Sequence, residues 1–404
     1  MTPPDIARQN SNAVLSRCDA TAPVAVVRDR GNVVVAHECE EIVQADGLDA
    51  LAMLDYIEQS GGFWVGALRY ELGRSIETCQ TSAGARSSGT TDDRNVADLV
   101  FARFARRTKT KAPLPNHHVV ASRHDLDQDL NQKLTLGPMT SNMTRAEHHQ
   151  HVERIRDFLA SGDCYQVNLT RRLSTPNRVN PRALFDALRR SQPAPNALLL
   201  DLGDVAIVSA SPEQFLRVDG KHVVTGPIKG TARSSPILER SGKDHAEHVM
   251  IVDLARNDLG RVCEYGSVTV PSLAAAEPHP GLVHLVSRVH GTLRANTGLR
   301  ELITATFPAA SITGAPKPRV MEIIETLEPT QRDYYCGAIG WIDADRATLD
   351  LGVAIRTFTM SEHGTDLGVG GGIVWQSDPE QEWQETQLKA ERLLAIAGAY
   401  ECDA

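Results

Sequence analysis

Positive charge is the first thing this sequence lacks. Its 404 residues carry 42 Lys and Arg against 51 Asp and Glu, a formal net charge of -9. A chain that binds a phosphate backbone normally presents a basic stripe, so no nucleic-acid partner is expected. No stretch approaches the ~20 consecutive apolar residues of a membrane span. The opening MTPPDIARQNSNAVLSR has no apolar centre of the secretion-signal kind. The seven cysteines (Cys18, Cys39, Cys79, Cys164, Cys263, Cys336 and Cys402) form no CxxC spacing. An odd, scattered set suits reduced thiols better than a disulfide framework. Together these absences predict a cytoplasmic protein without a membrane partner. Aromatics are also sparse, at 5%, but 41% hydrophobic residues are enough for a large core.

Several standard signatures are missing too. The run Gly368-Val-Gly370-Gly371-Gly372-Ile373 has isoleucine where a dinucleotide loop needs its third glycine, and no GxxxxGK[ST] loop occurs. His245-Ala-Glu-His248 matches no zinc-protease spacing. There is no GxSxG elbow. Cys164 lies at a helix-to-strand turn with no base beside it, which makes it structural.

Periodicity gives the elements. Strands are expected at Pro23–Val27, Asn32–Ala36, Phe63–Glu71, Tyr165–Leu169, Ala197–Leu202, Ala206–Ala210, Phe215–Val218, Gly337–Ile342, Thr348–Thr359 and Thr365–Gly370. Helices are expected at Leu48–Gln59, after the capping box Thr144-Arg-Ala-Glu147, and at Lys243–Gly260, Lys317–Leu327 and Pro379–Ala399. Polar loops are expected over Thr81–Asn95 and from Thr108 to about Asn142. The irregular order of strands and helices favours α+β over a doubly wound sheet. The expected organisation is a loose tail (1–20), an N-terminal region packing on the core (21–140) and a catalytic domain (141–402).

Some residues suggest chemistry. Asp244 and Glu247, and again Glu382 and Glu385, are acids three apart on a helix, and Lys389 follows Glu385 by four. The ordinary reading of the last pair is a surface ion pair worth ~0.3–0.5 kcal/mol. The alternative is convergence of two helices on Mg²⁺, a hard ion that prefers oxygen ligands. Lys229, in Gly226-Pro-Ile-Lys-Gly-Thr231, follows Val223-Val224 in a turn that can hold it at a fixed point. Most lysines are simply solvated, but a desolvated one gives up its proton and becomes a nucleophile. Glu213, in Ser211-Pro-Glu213, is either a surface acid or a general acid near a leaving group.

Taken in order, seven segments resemble the chorismate-utilising enzymes. They are Gly162-Asp-Cys-Tyr-Gln-Val-Asn-Leu169, Ser211-Pro-Glu213, Pro227-Ile-Lys-Gly-Thr231, Met250-Ile-Val-Asp-Leu254 with Arg256-Asn-Asp258, Thr313-Gly-Ala-Pro-Lys317, Ala354-Ile-Arg356 and Gly370-Gly-Gly-Ile-Val374. The resemblance runs from about Asn142 to Ala399 and implies two packed antiparallel β-sheets flanked by helices. Members that aminate C4 of chorismate carry PIKGT, as here, where anthranilate-forming members carry PIAGT. Members that add water have a lysine where this chain has Gln166.

The resemblance therefore implies conversion of chorismate and ammonia to 4-amino-4-deoxychorismate, a step toward 4-aminobenzoate and folate. Lys229 would be the nucleophile and Glu213 the acid. Glu247 and Glu385 would hold Mg²⁺, with Asp244 and Glu382 near them. Gly230, His284, Thr313, Tyr335, Arg356, Gly371, Gly372 and Lys389 would contact substrate. No GxCxGxQ glutaminase motif surrounds any cysteine, so ammonia is expected from a separate glutamine amidotransferase subunit or from solution. No LLES-type segment appears near the start, so tryptophan feedback is not expected. The rival readings are an anthranilate-forming large subunit and a non-catalytic regulatory relative.

Overall fold

Neighbouring side chains on single strands go to different cores, and this decides the architecture. Val24 and Val26 pack in a cluster with helical residues such as Leu184 and Leu393, while Ala25 and Val27 enter a cluster that contains no helical residue. Phe63, Val65 and Ala67 join that helix-free cluster, and Trp64 and Leu68 face away from it. A period of two with both faces buried means sheet on one side and helices on the other.

The computed structural model describes residues 14–17, 23–29, 32–81, 96–111, 134–232, 242–279 and 282–402. Its helices are α1 (Gly47–Ser60), α2 (Leu72–Thr81), α3 (Arg145–Ala160), α4 (Pro181–Ser191), α5 (Gly242–Gly260), α6 (Leu299–Thr306), α7 (Lys317–Leu327) and α8 (Pro379–Ala397). The strands form two antiparallel layers sharing the long strand Asn32–Ala45. On one side run Leu99–Lys111, Phe63–Leu68, Ala338–Asp343, Thr348–Val353, Gln214–Asp219, His222–Gly226 and Leu282–Thr292, the last also pairing Ile228–Ala232 and Thr269–His279. On the other run Val24–Asp29, Asn196–Asp201, Ala206–Ser211, Thr357–Ser361, Gly364–Ile373 and Gln166–Thr175. The expected α+β fold of two packed sheets with flanking helices is what forms. The single parallel pairing among the described residues joins Ala399–Cys402 to Gly137–Ser141. Among the described residues no helix is long and apolar enough to cross a membrane.

Local expectations hold where local chemistry is strong. The capping box at Thr144 and Glu147 forms and starts α3. Asp378 accepts from the Gln381 N–H at 2.9 Å, with Pro379 first in α8. Other expectations are corrected. The run Phe63–Glu71 is strand only to Leu68, because Arg69 and Glu71 turn into ion pairs before α2 begins. Thr348–Thr359 is two strands, broken where Arg356 adopts φ 52°. Most of the Thr81–Asn95 loop, the first twenty residues except Val14–Arg17, and 112–133 lie outside the described residues.

Two crossovers connect the layers and are tied to each other. Ser211–Gln214 passes from the second layer to the first, and Val353–Thr357 passes back. The Val353 N–H donates to the Glu213 carbonyl at 3.0 Å, and the Ala210 N–H donates to the Arg356 carbonyl at 3.0 Å. The segments containing Glu213 and Arg356 are thus held side by side.

A separate buried ionic knot is centred on Arg332. The Arg332 guanidinium donates to Glu328 at 2.6 and 2.8 Å, to the Ile312 carbonyl at 2.9 Å and to the Asn168 carbonyl at 2.8 Å. It also lies 4.5 Å above the Tyr70 ring. Glu328 in turn accepts from the Thr170 N–H at 2.8 Å. Arg69 and Arg172 meet Asp333 at 2.9 and 2.6 Å. Removing one partner of such a pair strands a buried charge. Arg332→Met is therefore expected to lose about 3–5 kcal/mol of stability by urea unfolding. The double variant Glu328→Met/Arg332→Met should lose less than Arg332→Met alone.

Candidate active site

Lys229 sits on the strand Ile228–Ala232, not in the turn expected for it. The register with Leu282–Thr292 slips between Lys229 and Thr231, where Gly230 has φ 74°. A bulge with glycine in the left-handed region bends a strand and re-aims its neighbours, which is why Lys-Gly rather than two ordinary residues occupies this point. Glu213, 4% exposed, stands at the first crossover.

Lys229 keeps part of its surface exposed, but its ammonium end is enclosed. Burial pulls that ammonium below the usual lysine range and Lys389 adds to the effect, against the opposing pull of Glu247, Glu213 and Glu385. Burial pushes the Glu213 carboxyl up to about 7, although Ser311, Lys229 and the Ile228 N–H favour its anion. An acid protonated near neutrality and an amine that loses its proton easily are set side by side.

The second layer closes over the amine with bare backbone. A methyl carbon added at Gly372 would lie 2.9 Å from the Lys229 Nζ, 2.7 Å from the Gln166 Nε2 and 3.2 Å from the Asn168 Oδ1. At Gly371 it would lie 3.3 Å from the Glu382 Oε2, 3.8 Å from the Glu385 Oε1 and 4.0 Å from the Lys389 Nζ. The glycine run is therefore a bare floor, with Lys229, Gln166 and Asn168 against its Gly372 face and Glu382, Glu385 and Lys389 of α8 against its Gly371 face. At the rim, the Lys389 Nζ lies 2.6 Å from the Glu385 Oε1 and 2.8 Å from the Gly370 carbonyl. The ordinary i,i+4 pair does form, and it forms at the edge of the site. Glu382 is buried and accepts from the Ser377 hydroxyl at 2.6 Å.

Among the described residues no three His, Cys, Asp or Glu side chains cluster closely enough to hold a metal, and the Asp244 side chain lies outside the described residues. The donors that do gather are the carboxylates Glu247 and Glu385, which act on the same ammonium from α5 and α8. Such a set fits a hard cation that keeps several waters rather than a fully protein-caged ion.

The other expected residues spread around this centre. The Thr313 hydroxyl is buried and donates to the Ala309 carbonyl at 2.6 Å. Buried His284 pairs in register with Thr231 and Glu277. The Tyr335 ring fills the space above Gly368, where an added methyl carbon would come within 2.2 Å of it. Arg356 is at the second crossover, and burial together with Arg392 lowers its pKa from the usual arginine value. Neither Glu213 nor Lys229 figures among its charged influences. Burial raises the Cys164 thiol to about 11, as suits a structural cysteine.

Sequence reading missed three contributors. Ser311 faces Glu213, and Asn168 faces the floor beside Lys229. Gln166 had entered only as a contrast with a lysine. It is 0% exposed, and neither its amide nitrogen nor its oxygen has a hydrogen-bond partner among the described residues. Their alternation with apolar Val167 was the signal that Gln166 and Asn168 share a face.

This arrangement meets the known proteins at one point. The segment from residue 10 to residue 395 matches the model of the chorismate binding enzymes. The chain belongs to that family.

Among its chorismate-binding relatives, aminodeoxychorismate synthase component 1 of Salmonella typhimurium is 43% identical over 264 residues, covering 63% of this chain and 58% of that protein. Anthranilate synthase component 1 1 of Haloarcula marismortui is 42% identical over 265 residues, covering 63% of this chain and 54% of that protein. The match thus spans less than two thirds of these relatives' length. The solved anthranilate synthase component I from Streptococcus pneumoniae superimposes with a TM-score of 0.70 at 26% identity, covering 95% of this chain and 92% of that one. A menaquinone-specific isochorismate synthase from Escherichia coli shares the fold, with a TM-score of 0.69 at 20% identity. The names divide between different reactions, so the choice rests on the residues of the site.

For a chorismate-binding enzyme built this way, the floor is the most sensitive place. Gly372→Ala is expected to push Lys229 and Gln166 aside and lower kcat/KM on chorismate roughly 100-fold. The thermal midpoint should move little, which a melting curve run beside the kinetic assay would check.

Proposed function

We propose that this chain is the synthase component of an aminodeoxychorismate synthase, converting chorismate and ammonia to 4-amino-4-deoxychorismate. The observation that carries the reading is Lys229, with its enclosed amine flanked by a carboxyl raised to about 7. A lysine at this point is what separates C4 amination from anthranilate formation.

The Lys229 amine attacks C2 of the substrate ring, both conjugated ring double bonds shift toward C4, and the C4–O bond breaks. The departing hydroxyl takes the Glu213 proton and leaves as water. Ammonia then attacks C4, both double bonds shift back, and the C2–N bond breaks to return the Lys229 amine. The Glu213 carboxylate accepts the proton that the new ammonium loses. One hard displacement becomes two easier ones, and the acid ends as it began. Gln166 supports ammonia over water as the second nucleophile, because a neutral amide can orient ammonia but cannot deprotonate water.

Glu247 and Glu385 are the residues that would hold Mg²⁺, and the ion would supply charge neutralisation for a substrate carboxylate. Arg356 suits a second carboxylate through its planar fork. Ammonia would come from a separate glutamine amidotransferase subunit, consistent with the component 1 name of the relatives.

Intact-mass measurement after incubation with chorismate and Mg²⁺, without ammonia, should show a gain equal to chorismate less one water. Lys229→Ala should not gain it. With ammonium present, the product should yield 4-aminobenzoate when a matching lyase is added, and anthranilate instead would overturn the assignment. The pH profile offers an independent check. Glu213 must carry a proton to release the hydroxyl and loses it as pH rises through about 7. The kcat/KM value should therefore fall on the alkaline side near that pH, and Glu213→Gln should be slow at every pH with that limb absent.

A further inference from the structure

We infer that Arg171 and Glu401 form a positioning pair that sets where Glu385 and Lys389 stand in the site. The inference rests on the reading of those two residues as part of the active centre. Arg171 lies in the strand Gln166–Thr175, on the face opposite Gln166 and Asn168, and its side chain is 0% exposed. It pairs in register with Val369, two residues before the floor glycine Gly371.

The guanidinium grips α8 at two points. Its Nε donates to the Thr386 hydroxyl at 2.9 Å, and its plane lies 4.3 Å from the centre of the Trp383 ring. The Thr386 hydroxyl donates back to the Trp383 carbonyl at 2.8 Å, so both contacts belong to one turn. His148 of α3 meets Trp383 edge-on, with ring centres 5.3 Å apart. Trp383 directly follows Glu382, Glu385 directly precedes Thr386, and Lys389 comes three residues after Thr386. A helix that rises 1.5 Å per residue cannot slide or rotate at Trp383 and Thr386 without carrying Glu385 and Lys389 along.

The counter-charge comes from far along the chain. Glu401 takes both forks of the guanidinium, with Nη2 to Oε2 at 3.1 Å. It sits on Ala399–Cys402, which pairs with Gly137–Ser141, and the Ser141 hydroxyl accepts from Nη1 at 3.2 Å. One buried cation thus links the strand that carries Gln166 and Asn168, the helix that carries Glu385 and Lys389, and the last described strand. Hydrophobic packing of Ala390, Leu393, Leu394 and Ala397 holds α8 down. Such contacts are non-directional, and the other polar ties of α8, from Glu380, Lys389 and Arg392, are exposed, so Arg171 supplies the buried directional one.

The test is Glu401→Gln in the full chain. Groups that orient a metal ligand from behind typically change metal affinity 10–100-fold. Half-saturating Mg²⁺ for formation of the Lys229 adduct should therefore rise roughly tenfold. Calorimetric titration with Mg²⁺ alone should show the same shift. Glu401→Asp should recover much of it, and Arg171→Lys should not, because an ammonium lacks the fork and the flat face.

Should Glu401→Gln fail to fold, Arg171→Met/Glu401→Leu removes both charges together and should show the same tenfold shift. A lowered melting temperature with half-saturation within twofold of the parent, in all these variants, overturns the pair. If the unaltered chain forms no adduct and binds no Mg²⁺, the preceding functional reading falls instead. The pair is then judged by hydrogen exchange of the α8 amides around residues 383–389, and exchange unchanged in Glu401→Gln overturns it.

Discussion

An amine and a carboxyl share a place that water does not readily reach, and the rest of the site follows from that. Neither Lys229 nor Glu213 can be solvated in the ordinary way, so each is pushed toward its neutral form. Glu247 and Glu385 offset part of the penalty on the lysine by keeping negative charge near. The glycine floor matters for the same reason, since a side chain at Gly372 would occupy the space in which the amine must meet a ligand. The shifted protonation of both groups is a product of enclosure, and enclosure requires the two sheets to meet closely.

That closure depends on charged residues buried as deeply as the apolar core around them. Arg332 and Glu328 are 2% and 4% exposed at the side chain, and their hydrogen bonds end on the carbonyls of Ile312 and Asn168 and the N–H of Thr170. Those backbone groups adjoin Thr313, Ser311 and the Gln166 face. A hydrophobic replacement could fill the volume, but it could not fix the direction of three peptide groups at once. Buried ion pairs are poor sources of stability and good sources of orientation, and this one holds the backbone of Asn168, whose side chain lies beside Lys229 at Gly372.

What the sequence made legible follows the range of the forces involved. The α3 start was readable because a capping box is complete within four residues. Strand alternation gave the central strands, while the shared face of Gln166 and Asn168 was present in the same pattern but not connected to the site. The bulge at Gly230 was not readable, because its slip exists only relative to Leu282–Thr292, more than fifty positions later. The break at Arg356 carries no glycine or proline to announce it. Arg332, Glu328 and Asp333 lie in a polar stretch that looks like surface, and only partners from three distant segments bury them. Thr269–His279 and Leu282–Thr292 escaped notice because Ser, His and Ala interrupt their apolar pattern. The resemblance, carried by ordered motifs rather than periodicity, pointed to the Lys229–Glu213–Glu247–Glu385 grouping that the fold assembles.

The strand Asn32–Ala45 belongs to both layers at once. It pairs with Val24–Asp29 at the edge of one and with Leu99–Lys111 along the whole of the other. Val24–Asp29 in turn waits for Asn196–Asp201, and the layer beyond Leu99–Lys111 waits for Ala338–Asp343 through Phe63–Leu68. On a ribosome, the early strands emerge long before these partners exist. The nascent chain must carry unpaired strand edges through most of its synthesis, and neither layer can be completed as a fragment. Cutting the gene between its first third and the remainder would yield two polypeptides that each hold half of a seam.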